Sequence, residues 1–312
     1  MKSRFLNRLG AVVSGLLLLA AMPSCGDDDD SVIDYTRPRP DDAADTTSAG
    51  DAGKMSIFVC FGQSNMEGNA AVEDVDRLNV PSNFKNMVVA KSDVSHYNAA
   101  RYTWRKADPP LARFTTGLTP ADYFGRKMLE KLGSDAELGI VMVAIGGASI
   151  EAFEKDKCAG YCSRTDHADW YKNYLAEYDN NPYKVLVDAA KEAQKAGVIR
   201  GVLLHQGETN NGDPTWPETV KSIYDNLLSD LGLDAAKCPL LAGEMLRAEA
   251  GGICWGHNAV IARLPEVIPT AYVISSEGCG GNGADGFHFC AAGYRILGER
   301  YADKMISLMG KQ

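Results

Sequence analysis

Much can be excluded from what this chain does not contain. No Cys-x-x-Cys pair occurs, and no histidine stands at ligand spacing from a cysteine, so a zinc finger or ribbon has no framework. No Gly-Lys-Ser/Thr marks a phosphate loop. The Gly-x-Ser-x-Gly elbow of the α/β-hydrolases is missing, because Gly62-Gln63-Ser64 is followed by Asn65-Met66 with no second glycine. There is no internal repeat and no basic patch. Acidic residues outnumber basic ones 41 to 32, which argues against a nucleic-acid partner.

The apolar run from Ala11 to Met22 is too short to span a bilayer, but it follows Lys2, Arg4 and Arg8 as the core of a signal peptide would. It ends in Met22-Pro23-Ser24-Cys25, which resembles a bacterial lipoprotein processing site. Residues 1–24 are therefore expected to be a leader and Cys25 a lipidated N-terminus. This predicts an exported, outer-membrane-anchored lipoprotein, periplasmic or on the cell surface, touching the membrane only through its lipid. The next stretch, 25–53, begins with an Asp run and holds nine acidic residues against two arginines. It reads as a solvated linker, and residues 54–312 as a single, mildly acidic domain.

Cysteine use in an exported chain favours some disulfides. With Cys25 given to lipid and Cys60 inside an apolar run, six cysteines remain. Cys158 with Cys162, and Cys279 with Cys290, are two candidate pairings among many.

Within the body, continuous apolar runs alternate with amphipathic stretches. Runs at 56–61, 139–145, 201–205, 239–243 and 271–274 predict strands covered on both faces. Helices are expected at about 120–132, 182–196, 217–231, 256–265 and 291–309. The alternation implies right-handed crossovers and a parallel sheet between two helical layers. Ligands bind such sheets beyond the carboxyl ends of the strands.

Four segments stand there. Gly62-Gln63-Ser64-Asn65-Met66 follows the first run, and a serine in that tight turn either caps a helix or presents a nucleophile. Gly146-Gly147 follows the second, where missing side chains let a backbone N–H approach a ligand. Gln206-Gly207-Glu208-Thr209-Asn210 follows the third and brings amides that donate without charge. Asp285-Gly286-Phe287-His288 precedes the last helix, with Asp and His close enough to share a turn. Together they supply a nucleophile, a base, an orienting acid and oxyanion donors.

These blocks resemble those of the SGNH hydrolases, specifically the sialate O-acetylesterase-like branch that includes the acetylxylan esterases of carbohydrate esterase family six. The resemblance spans about 55–305. It implies a three-layer α/β/α, flavodoxin-like fold around a central parallel sheet. It also implies a cofactor-free and metal-independent acyl-enzyme mechanism on an acetylated carbohydrate, whether polysaccharide or sialoside. Ser64 would be the nucleophile, His288 the base and acid, and Asp285 the orienting acid. The Ser64 and Gly147 N–H groups would line the oxyanion hole, with Gln206 as third donor and Asn210 as the alternative. Gln63, Asn65 and Glu208 would brace the site from behind.

Two other readings stay open: an esterase or lipase of the same superfamily acting on another acyl ester, and a surface lipoprotein that binds glycans without catalysis. The aromatic residues Trp104, Trp170, Tyr171, Tyr174 and Trp216 fall in connecting segments where sugar platforms occur. Trp170, Tyr171 and Tyr174 also fit one helix face, and core packing is expected of them. The long insertion at about 150–181 is expected to shape the pocket.

Overall fold

The computed structural model describes residues 54–309. The expected leader over 1–24, the lipidated Cys25 and the acidic linker to residue 53 lie outside the described residues. Seven strands run in chain order: β1 (Met55–Gly62), β2 (Phe84–Met87), β3 (Trp104–Lys106), β4 (Leu138–Ala144), β5 (Gly197–His205), β6 (Leu240–Gly243) and β7 (Ala271–Ile274). They form one sheet in the order β3-β2-β4-β1-β5-β6-β7. All neighbours are parallel except β3, which pairs antiparallel with β2.

The five apolar runs are β1, β4, β5, β6 and β7. Their order, with the second strand placed outside the first, is that of flavodoxin-like sheets. β2 and β3 extend the sheet beyond β4.

Each central strand faces two cores. In β1, Ile57, Val59 and Phe61 point into one apolar cluster, and Phe58 and Cys60 into the other. β4 alternates likewise, with Val141 and Val143 on one side and Ile140 and Met142 on the other. That is the pleat of a strand buried on both faces, which is why the runs read as continuous apolar sequence. The helices Pro182–Ala193 and Trp216–Leu231 cover the first face, and Pro120–Leu132 and Ala291–Leu308 the second.

The first three of these helices carry their own start signals. Thr119 and Asn181 accept the early N–H groups of their helices, and Pro120, Pro182 and Pro217 stand in the first turn. The expected helix at 256–265 is instead broken into Trp255–His257, Asn258–Ile261 and Leu264–Val267. Pro265 in the last of these has no N–H to continue a single helix.

All seven described cysteines are free thiols. Cys158 and Cys162 sit one helical turn apart with their Sγ atoms 4.0 Å from each other. Cβ atoms at that spacing stand roughly 5–6 Å apart, beyond the roughly 3.5–4.5 Å that a disulfide takes. Cys290 caps the final helix through its sulfur, which accepts from Gly293 N at 3.4 Å, and Cys279 Sγ lies 3.8 Å from Arg300 Nη1. Neither expected pairing is formed.

Candidate active site

β1 ends at Gly62, with φ +150° and an ideal Cβ position only 2.1 Å from the carbonyl oxygen of His205. A side chain cannot fit there, so glycine lets the chain turn tightly between β1 and β5. Gln63 N donates to that same carbonyl at 3.0 Å. The short helix Ser64–Glu67 follows, and its first residue faces a cavity of about 490 Å³.

His288 Nε2 lies 2.7 Å from Ser64 Oγ, and His288 Nδ1 lies 2.7 Å from Asp285 Oδ2. If Nδ1–H donates to the carboxylate, Nε2 of the neutral ring is left to accept from the serine hydroxyl. The acid is braced by its own loop. Asp285 Oδ1 accepts from the backbone N–H of Phe287 at 2.8 Å and of His288 at 3.0 Å, and Oδ2 accepts from Asn282 Nδ2 at 3.1 Å. Burial pushes this carboxyl up, but His288 and these donors outweigh it and hold it well below the usual carboxylate range.

The glycine turn after β4 forms another wall. Gly147 has φ +78°, and a Cβ there would stand 3.1 Å from the Trp170 ring. Among the described residues, the backbone N–H groups of Ser64 and Gly147 have no hydrogen-bond partner. Gly146 N instead donates to Glu67 Oε2 at 3.1 Å. Glu67 is ion-paired with Arg113, whose guanidinium stacks 4.0 Å above the Tyr174 ring. Both charges are buried, and burial raises the Glu67 carboxyl against the pull of Arg113. The ion pair thus anchors the peptide before Gly147. Glu67 lies three residues after Ser64 in the same block, but nothing in the sequence pointed to Arg113.

Behind the serine, Asn65 Nδ2 donates to Glu208 Oε1 and to Phe287 O, the latter at 2.9 Å. Gln63 and Glu208 both line the cavity. The two amides expected as third oxyanion donor do not. Gln206 is 1% exposed, its Nε2 directed to Ala148 O, Asn210 Oδ1 and Gln63 Oε1, its Oε1 accepting from Trp216 Nε1. Asn210 Oδ1 accepts from Gln206 and from Ile150 N, and its Nδ2 lies 3.4 Å from Ser149 Oγ. Both side chains are held by internal partners.

The aromatic residues also sort differently from expectation. Tyr171 is core, but Trp170 is 54% exposed and Trp170 and Tyr174 line the cavity with Phe287. The helix Asp169–Glu177 in the long insertion carries both to the rim. Trp216 is fully buried, where its N–H finds Gln206. His205 is a core residue, and Glu244 is a buried carboxylate paired with Arg247 and accepting from Ser276 N.

Residues 54–307 match the family described as carbohydrate esterase, sialic acid-specific acetylesterase. The chain belongs to this family. As a member of the sialic acid-specific acetylesterases, it is an esterase of the carbohydrate-esterase type. Its fold is similar to that of a protein from Arabidopsis thaliana, at 20% identity and TM-score 0.59 over 81% of this chain and 98% of that one. It is also similar to NanS, at 16% identity and TM-score 0.58 over 81% and 97% of the two chains. This shared α/β fold is the frame on which the four blocks meet.

Proposed function

We propose that this esterase is a serine-dependent carbohydrate O-acetylesterase that removes acetyl groups from a polysaccharide or sialoside through an acyl-enzyme. The observation that carries the reading is the hydrogen-bonded chain Ser64–His288–Asp285, 2.7 Å at each link, opening on a cavity beside two unpartnered backbone N–H groups. Ser64 Oγ attacks the acetyl carbonyl as His288 Nε2 takes its proton. The Ser64 and Gly147 N–H groups hold the negative charge that develops on the carbonyl oxygen. The C–O bond to the sugar breaks, and His288 gives the proton to the leaving alkoxide. Water, deprotonated by the same imidazole, then frees acetate and regenerates the serine. Asp285, ionised across the neutral range, stabilises the imidazolium in both halves.

Trp170 and Phe287 at the rim present apolar ring faces of the kind on which a sugar can stack. The family description, which names sialic acid, supports an acetylated sugar as acceptor. The test is acetate release from acetylated polysaccharides and acetylated sialosides, with p-nitrophenyl acetate as reporter. Ser64→Ala is expected to lower kcat by about 10⁵–10⁶ while the protein still folds. Full activity in that variant would overturn the serine mechanism. Acetate release from no acetylated glycan would overturn the substrate class.

A further inference from the structure

We propose that Ile253 and Trp255 form a second sugar-binding surface beside the catalytic cavity, so that the site takes an acetylated residue from within a glycan chain rather than a free or terminal one. The inference rests on the carbohydrate reading above and narrows its acceptor.

The segment 253–258 follows β6 and is stitched to both loops that wall this side of the cavity. Ile253 N donates to Gly286 O at 3.0 Å, and a Cβ on Gly286 would stand 3.0 Å from the Ile253 side chain. Cys254 Sγ lies 3.8 Å from Glu208 O. His257 is fully buried against Gly207, and its Nδ1 accepts from Gly212 N at 3.2 Å. Asn258 Oδ1 accepts from Met245 N at 2.7 Å, which ties the segment to the end of β6. Glu208 and Phe287, the neighbour of Gly286, line the cavity, and the segment is the next wall outward from them.

Trp255–His257 is a single 3₁₀ turn, in which residues three apart share a face. Cys254 and His257 take the inward face, and the turn therefore directs Trp255 to solvent. Trp255 is 56% exposed and Ile253 60%, and neither belongs to the two apolar clusters. An indole and a branched aliphatic side chain left in water next to a catalytic cavity mark a binding surface.

The occupant follows from where this surface lies. Trp170 stands over Gly147 after β4, while 253–258 is held to residues after β5 and β6. In the sheet, β4 and β6 lie on opposite sides of β1 and β5. The two exposed tryptophans thus flank Ser64 along the carboxyl edge. A sugar ring offers apolar C–H faces to such side chains while its hydroxyls stay in water. A terminal sugar has a neighbour on one side only, whereas an internal residue has one on each.

The test uses chemically acetylated xylo-, manno- and cello-oligosaccharides of one to six sugars, with p-nitrophenyl acetate as the small reporter. Wild-type kcat/KM per acetyl group is expected to rise about tenfold or more with chain length on at least one backbone. Trp255→Ala is expected to lower the ratio of glycan to reporter kcat/KM about tenfold, mainly through KM on the longer chains. Trp255→Phe, which keeps a ring, is expected to recover most of the loss. The side chain is exposed and outside both cores, so the variants are expected to fold. Wild-type activity that is independent of chain length on every backbone would overturn the inference. So would a Trp255→Ala ratio within about threefold of wild type, since a structural defect lowers both substrates alike. Those results, with acetate still released from glycans, leave the carbohydrate reading standing. If the reporter is cleaved and no oligosaccharide is, that reading falls and this inference with it.

Discussion

Asn65 links three parts of the site with one amide. Its Nδ2 donates to Glu208 after β5 and to the carbonyl of Phe287 beside His288, while its Oδ1 accepts from the buried hydroxyl of Tyr294 at 2.6 Å. Any drift of the His288 loop away from Ser64 would break the bond from Asn65 to Phe287 O. Glu208 stands at the buried end of this network. Burial raises its carboxyl, and the hydrogen bond from Asn65 and the His288 charge offset only part of that. Its Oε2 is buried with no partner. A folded-state pKa above the unfolded one means that this group stabilises the fold at low pH. That contribution is lost as pH rises through the elevated pKa, because the ionised form is favoured more in the unfolded chain. Glu208→Gln removes this titration and keeps an oxygen for Asn65. Its melting temperature relative to wild type is expected to climb from about pH 4 upward and then level off. A difference that is flat from pH 4 to 9 would contradict this account of Glu208.

At the scale of elements, the turn that carries Ser64 is four residues long and cannot be stable alone. It is held by its neighbours. Thr119 Oγ1 donates to Met66 O at 2.7 Å and also accepts from Ala121 N at 3.3 Å, so one buried hydroxyl both secures the serine turn and caps the helix Pro120–Leu132. Thr119→Ala removes the cap and leaves a buried carbonyl unpaired, with an expected loss of about 1–3 kcal/mol of stability in urea unfolding. A loss under about 0.5 kcal/mol would show that water or backbone motion satisfies both groups.

The elements differed in how legible they were. The helix Pro120–Leu132 was readable to the residue because Thr119 and Pro120 mark its start and Gly133 follows its end. β2 and β3 were not readable, because Phe84-Lys85-Asn86-Met87 and Trp104-Arg105-Lys106 are short and mix polar with apolar residues. They are strands because β4 offers an edge and Asn86 finds the carbonyl of Leu111 at 2.8 Å. Trp170 misled for a related reason. It lies one position from the core residue Tyr171 on the same helix, and only the packing of that helix decides which ring faces solvent.

For the molecule as a whole, the load falls on the central strand. Phe58 in β1 is fully buried, its ring 4.7 Å from that of Phe124 in an edge-on contact, with Ile140 and Gly201 as its partners across the sheet. Phe58→Ala is expected to cost about 3–5 kcal/mol through lost burial and the cavity it leaves. The loss should appear as one cooperative shift in the unfolding midpoint with unchanged slope. A separate early transition for part of the sheet would mean that the two apolar faces unfold independently.

The sequence alone determined the five core strands, the fold class, and the four blocks that end up together. Those features are local: a doubly buried strand must be continuously apolar, and a tight turn after it needs glycine. It also nominated Ser64, His288 and Asp285, because the four blocks taken together resemble those of a known esterase family, whereas a serine in that turn alone could equally cap a helix. Tertiary structure alone decided which amide faces the cavity. Gln63, Gln206 and Asn210 are chemically alike in sequence, and each can donate or accept. The fold tells them apart: the Trp216 indole engages Gln206, Ile150 N engages Asn210, and the Gly207 and Thr209 backbone N–H groups engage Gln63 Oε1.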